Sequence, residues 1–334
     1  MIGEPRIEVF STCPHSAGLA RDVYAERVAD VARWSEEAGC TGILVYSDNS
    51  SLDPWLLSHI IIQQTRRLCP LIAIQPVYMH PYWVAKQIAS LGFLYDRRLY
   101  LNMVAGGFKN DLDALNDPTP HDQRYARLIE YTNIIMRLLE SPAPLTYEGD
   151  FHRVTRLKLA PALPEGLVPG VFVSGSSEAG MAAATVLGAT AIKYPKPPGE
   201  EDPPPDAPMS LGIRVGVIAR PDPGEAWAIA RARFPEDRKG QITRQLASKV
   251  SDSVWHKQLA ERDATPEQSP YWLVPFQNYK VMCPYLVGSY EQVAAELARY
   301  FGAGYRTVIL DDPPDAGELR HTFAAFTAAV APVP

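Results

Sequence analysis

Two stretches decide the fold: Arg98-Leu-Tyr-Leu-Asn-Met-Val-Ala-Gly-Gly107 and, further on, Val171-Phe-Val-Ser-Gly-Ser-Ser-Glu-Ala-Gly180. In each, an apolar strand-like run stops at small residues. A helix-like segment follows, at once in the second and after a loop in the first. α/β proteins build their sites at strand C-termini in this way. Two such ends in one chain predict a shared ligand.

Outward from these ends the same strand–helix unit repeats. Arg6–Ser11, Thr41–Tyr46, Leu71–Gln75, Arg97–Met103, Gly170–Ser174, Thr190–Lys193, Leu211–Ala219 and Tyr305–Leu310 read as strands. Val23–Ala38 reads as a helix because Val28, Val31, Ala32 and Ser35 recur at helical spacing before Gly39 stops it. Asp53 is positioned to cap a helix running to Arg67, and Pro81–Gly92, His121–Glu140, Ser177–Leu187 and Tyr290–Phe301 are further helices. Short connections between alternating elements imply parallel strands and right-handed crossovers. Eight strands in this order favour a closed (β/α)₈ TIM barrel over an open doubly wound sheet, although periodicity leaves closure undecided.

The expected organisation is one barrel domain over residues 1–334, with insertions at about 108–120, 141–169, 194–209 and 248–285. Ser141–Pro164 reads as an inserted hairpin. Tyr194–Pro208 is dense in proline and can be neither regular helix nor central strand. Helical runs at Gly224–Arg233 and Asp237–Arg262, then the irregular Asp263–Pro284, separate the last two strands. That segment is either a structural insertion, such as an oligomer contact, or a lid over the active face.

Composition narrows the function. Hydrophobic residues are 46% and charged residues 21% of the 334, the proportions of a folded globular chain with a sizeable core. A formal net charge of -6 supplies no basic field for a polyanion, so nucleic acid is not an expected partner. No apolar run is long enough to span a membrane, and the N-terminus lacks an export signal, so the expected location is the cytoplasm. Cys13, Cys40, Cys69 and Cys283 form no Cys-x-x-Cys pair and predict neither zinc cluster nor disulfide framework. Cys13, just past the first strand, reads either as a packing residue or as an active-site thiol.

Ser174-Gly-Ser-Ser177 enters a helix, offering backbone N–H groups, hydroxyls and a positive helix terminus to a phosphate. The alternative is that Ser176 or Ser177 merely caps the helix. Asn102, Val104, Ala105 and Gly106 give an amide and small-residue backbone that a flat heteroaromatic ring can approach, unless Asn102 is a satisfied core amide. His121 and Tyr125 share a helix face, but no partner ligand completes a metal site. Phe10, Trp55, Tyr78, Tyr82, Trp272 and Phe276 divide between a substrate pocket and the core.

Taken in order, Arg98–Gly107, His121–Tyr125, Tyr147-Glu-Gly-Asp-Phe151, Val173–Gly180 and Gly212-Ile-Arg-Val215 resemble the bacterial luciferase-like flavin monooxygenases. The alkanesulfonate monooxygenase branch is the most similar, and the likeness runs with gaps from about Arg6 to Leu310. The resemblance implies a barrel that binds reduced FMN from a separate NAD(P)H-dependent flavin reductase. With O₂ it would form a flavin peroxide that oxygenates a small organic substrate, a sulfonate or a specialised metabolite, without a metal. Self-association as a homodimer or homotetramer is implied too.

By the same resemblance Ser174, Gly175, Ser176 and Ser177 hold the FMN phosphate with Tyr125 near it. Asn102 and the backbone of Val104, Ala105 and Gly106 face the isoalloxazine, which Ser47 and Asp48 border. Arg214 is the active-site cation. His15 occupies the place of the family's N-terminal histidine, and Lys280 is the nearest counterpart of its lid arginine. Two departures limit the substrate inference: Gly216 stands where the sulfonate enzymes carry histidine, and Ser51 where they carry cysteine. A deazaflavin-dependent oxidoreductase and a non-catalytic flavin-binding protein remain the alternatives.

Overall fold

A computed structural model describes residues 7–17, 19–106, 109–197, 200, 209–238, 240–241, 269–278 and 280–330. Three strand–helix units and a fourth strand open the chain: β1 (Glu8–Thr12), α1 (Arg21–Ala38), β2 (Gly42–Val45), α2 (Pro54–Gln64), β3 (Cys69–Ile74), α3 (Pro81–Tyr95) and β4 (Tyr100–Met103). Next come α4 (Lys109–Ala114), α5 (His121–Glu140) and an antiparallel hairpin, β5 (Leu145–Glu148) and β6 (Arg153–Leu157). β7 (Gly170–Ser174), α6 (Glu178–Leu187), β8 (Thr190–Lys193) and β9 (Leu211–Arg220) follow. The rest comprises α7 (Pro223–Arg233), β10 (Tyr271–Trp272), α8 (Val274–Gln277), β11 (Tyr285–Ser289), α9 (Tyr290–Gly302), β12 (Tyr305–Leu310) and α10 (Ala316–Val330).

Eight of these strands, β1, β2, β3, β4, β7, β8, β9 and β12, pair in that order, all parallel, and β12 returns to β1. They are the eight runs read from the sequence, and the ring is closed as the barrel reading expected.

Strand alternation divides the apolar residues into two layers. Val9, Ile43, Ile72, Leu101 and Val173 pack outward under the helices, with Val28, Val31 and Ala32 of α1 in the same cluster. Their neighbours Phe10, Leu44, Leu71, Tyr100, Phe172, Ile192 and Ile309 point inward and plug the barrel. Phe10 sits edge-on to Tyr100 and Phe172 at 5.0 and 5.3 Å between centroids. Glycine makes room below: a Cβ at Gly42 would come within 2.8 Å of the Phe10 ring, and one at Gly170 within 2.5 Å of Tyr100. The interior above the plug is therefore reserved for inward residues two and four places further along each strand.

Helix boundaries follow local chemistry. Gly39 ends α1 in the left-handed conformation at φ 95°, and Asp53 caps α2 by accepting from the N–H groups of Trp55 and Leu56. Four features depart from the sequence reading. α4 lies in what read as a polar loop, since one short polar turn carries no periodic signal. The two-residue β10 lies inside the segment that read as irregular, and β11 begins just beyond it. β11 runs into α9 with no intervening turn residue to mark it. α10, for which no element was expected, packs on α1 and α9. Most of the expected helix Asp237–Arg262, and of the proline-rich 194–208, lies outside the described residues.

β9 is the longest strand, and its two halves have different neighbours. Leu211–Val215 pairs with β12, whereas Gly216–Arg220 pairs in parallel with β11, to which β10 adds antiparallel.

Candidate active site

Above the plug, at the C-terminal ends of β2, β3, β4, β7, β8 and β9, is a cavity of about 210 Å³. Leu44 and Ile192 of the plug are its floor. Its walls are inward residues of the same strands: Tyr46, Ala73, Gln75, Asn102, Ser174 and Arg214. A second cavity of about 330 Å³ adjoins it, sharing Ser47, Asp48, Ala73 and Gln75. Their size and their position above parallel strands match small-molecule sites on such barrels.

The two glycine-marked strand ends meet here. The Ser174 hydroxyl donates to the Asn102 carbonyl oxygen at 2.7 Å, tying β7 to β4 across the cavity wall. Val104 N–H donates to Ile74 O at 2.9 Å, carrying the β3–β4 ladder past β4. Val104, Gly175 and Ser176 line the cavity beside Ser47 and Asp48. Ala105 is buried, and Gly106, at φ 108°, turns the chain against Leu112 of α4; both sit behind the wall.

The turn 174–177 is built on Tyr125 of α5. A Cβ at Gly175 would overlap the Tyr125 hydroxyl, so only glycine allows this approach. Burial raises the Tyr125 phenol pKa against a hydrogen bond with Ser177. Ser177 also caps α6, its oxygen accepting from Gly180 N–H at 3.2 Å. The capping reading of Ser177 therefore holds, while Ser176 lines the cavity. Tyr125 and Ser177 support this turn rather than line the cavity.

Alongside Lys193, Arg214 is a cation of the wall. Its Cζ stands 5.0 Å from the centre of the Tyr46 ring. Its Nε and Nη2 are sealed from solvent with no hydrogen-bond partner among the described residues. Donors left so are costly, and an acceptor in the cavity would satisfy them. Asp48 lines the same cavity: desolvation would raise that carboxyl, but hydrogen bonds from Ser50 and Ser51 hold it below its ordinary value.

His15 lies behind this carboxylate. Its Nδ1 accepts from Ala17 N–H at 3.2 Å, which puts the proton of the neutral ring on Nε2. Nε2 faces Ser51 Oγ at 3.0 Å and Asp48 Oδ2 at 3.6 Å. Lys280 is not brought to the site; it is exposed and pairs with Asp237 at 2.8 Å. Cys13 is buried in the core, and desolvation drives its thiol far above the ordinary range. The space opened at Gly216 is filled by the Tyr285 ring, whose hydroxyl donates to Asp311 at 2.7 Å. Of the six aromatics, Trp55 and Tyr78 line the second cavity, while Phe10, Trp272 and Phe276 belong to the core and Tyr82 packs on it.

Tyr46, Gln75, Lys193, Tyr194 and Met282 also line the first cavity and were not singled out from the sequence. Inward alternation from Leu44, Leu71 and Ile192 would have found Tyr46, Gln75 and Tyr194. Met282, from the segment before β11, carries no such signal. Among the described residues no group of three or more His, Cys, Asp or Glu is placed to hold a metal ion. No described helix is long and apolar enough to cross a membrane.

Comparison with known proteins gives this geometry a lineage. The chain is 36% identical over 296 residues, 86% of each protein, to the 4-(gamma-L-glutamylamino)butanoyl-[BtrI acyl-carrier protein] monooxygenase BtrO of Niallia circulans. Its fold matches riboflavin lyase RcaE, crystallised with modified FMN and riboflavin, at a TM-score of 0.72 and 16% identity over 96% of this chain and 91% of that one. An F420-dependent secondary alcohol dehydrogenase matches at 0.66 and 17% identity, over 98% of this chain and all (100%) of that one. The sequence profile of the luciferase-like monooxygenases matches residues 6–307, and the chain belongs to that family.

Proposed function

We propose that the chain is a reduced-FMN-dependent monooxygenase acting on a small organic substrate. The observation that carries this reading is a single cavity joining the Gly175–Ser176 turn, Asn102 and the unpartnered donors of Arg214. The residues fit the cofactor: the Gly175–Ser176 backbone and the Ser176 hydroxyl for phosphate, and the Asn102–Val104 wall opposite Ser47 and Asp48 for a flat ring. Bound reduced FMN supplies the electrons that activate dioxygen. The chain's own part is to grip the phosphate, hold the ring between β2 and β4, and offer Arg214 to negative charge that develops in the cavity. His15 holds Ser51 and Asp48 in place. Lys280 has no role in this reading.

Kinship with BtrO favours an acyl chain delivered on a carrier protein. The filled space at Gly216 and the serine at position 51 weigh against an alkanesulfonate. A separate flavin reductase, a cytoplasmic setting and a homodimer or homotetramer complete the reading. The test is titration with oxidised and with anaerobically reduced FMN, followed by O₂ mixing. Tight binding of reduced FMN and rapid O₂ consumption are expected; failure to bind either form overturns the proposal. The F420-dependent neighbour sustains a second reading, favoured if the deazaflavin binds selectively and O₂ is not consumed.

A further inference from the structure

The second cavity has a chemistry distinct from the first. Its walls are divided between polar and apolar residues, with Leu52, Pro54, Trp55, Ile74 and Met79 on the apolar side. Trp55 is 5% exposed, and its indole Nε1–H finds no acceptor among the described residues. A buried donor left so is a cost that a ligand's acceptor would remove.

The polar end is equally directed. The Ser51 hydroxyl, 3.0 Å from His15 Nε2, is hydrogen-bonded to Asp48 and helps to hold that carboxylate at the wall of the cavity. Asp48 Oδ1 accepts from Ser50 N, Ser50 Oγ and Ser51 N at 2.8, 2.8 and 2.7 Å. Its Oδ2 lies 3.6 Å from His15 Nε2. Asp53, the other lining carboxylate, spends its Oδ1 on capping α2. No lysine or arginine lines this cavity among the described residues.

Building on the flavin reading of the neighbouring cavity, we propose that this second cavity is a substrate subsite selecting by charge. It receives the free end of an amine-bearing acyl chain. The methylenes lie against Leu52, Trp55 and Met79, a carbonyl oxygen takes the indole donor of Trp55, and an ammonium group meets Asp48. An anionic end, whether sulfonate, phosphate or carboxylate, finds two carboxylates and no cation.

The test is calorimetric titration of the FMN-saturated protein with four probes of matched length: N-methyl-6-aminohexanamide, N-methylhexanamide, adipic acid mono-N-methylamide and 1-hexanesulfonate. The aminoamide is expected to bind about tenfold more tightly than either anion. Asp48→Asn, also at saturating FMN, should bring the aminoamide and the adipic monoamide within about threefold of each other. Trp55→Phe should weaken both uncharged-end and amine-end amides by about fivefold while raising the melting midpoint of the ligand-free protein. An anionic probe binding as well as the amine, or no amide binding to FMN-loaded protein, overturns the subsite and leaves the flavin reading standing. Absence of FMN binding in the preliminary titration removes both.

Discussion

At the level of single residues, the site depends on what Gly175 lacks. A methyl group there would overlap the Tyr125 hydroxyl, so Gly175→Ala must displace either the turn or the α5 side chain beneath it. The expected outcome is a loss of about 1–3 kcal/mol in equilibrium denaturation and at least about tenfold in FMN affinity. An unchanged affinity would show that the turn does not carry the phosphate. Arg214 should behave in the opposite sense, since its sealed Nε and Nη2 have no partner. Arg214→Met is expected to stabilise the ligand-free protein by about 1 kcal/mol and to abolish substrate oxidation, as when function is held at the expense of stability. Asn102, Ser174 and Ser176 were legible in the sequence because small and polar residues interrupt apolar strands there. Tyr46 and Gln75 were not, because an aromatic or amide at a strand end says nothing until the register shows which way it points. Lys280 misled for the converse reason: a cation in an insertion looks free until its carboxylate is known.

Among elements, the connection from α4 to α5 determines how Tyr125 is delivered. Arg127 of α5 grips Asp117 with Nη2–Oδ2 at 2.6 Å and Nη1–Oδ1 at 3.2 Å, and Thr119 donates its backbone N–H and hydroxyl to the same carboxylate. Desolvation works to raise the Asp117 carboxyl, but the Arg127 and Thr119 hydrogen bonds hold it at about 2. A folded-state value below the unfolded one stabilises the fold above about pH 4, and the gain is lost as pH falls through about 2. Asp117→Asn is therefore expected to cost about 2 kcal/mol at pH 7 and almost nothing near pH 2, read from urea denaturation across that range. A pH-independent difference would place the effect in packing instead. All eight barrel strands were readable because parallel strands buried on both faces leave continuous apolar runs. α4 and β11 were not, being shorter than the window in which a period can be recognised.

For the whole molecule, closure rests on β8 meeting β9, with Ala191, Ile192 and Lys193 opposite Leu211, Gly212 and Ile213. No local pattern encodes that pairing, so the count of strands could suggest a ring but periodicity could not close it. A ligand that bridges β2, β4, β7 and β9 above the plug fastens distant parts of this ring at once. Saturating FMN is expected to raise the melting midpoint by about 2–5 °C, and Ser176→Ala with Ser177→Ala to abolish most of that rise. A full rise in the double variant would move the phosphate elsewhere.

The change of neighbours along β9 has a mechanical meaning. Gly216 is the first residue to leave the barrel ladder for β11, held by its N–H to Pro284 O at 2.8 Å, and Arg214 is one pleat behind it. A sideways pull on the outer ribbon of β10 and β11 therefore reaches the guanidinium through two covalent residues of the same strand. Met282 hangs from that ribbon into the same chamber. Whatever docks on the ribbon's far side has a direct handle on the guanidinium in the cavity wall.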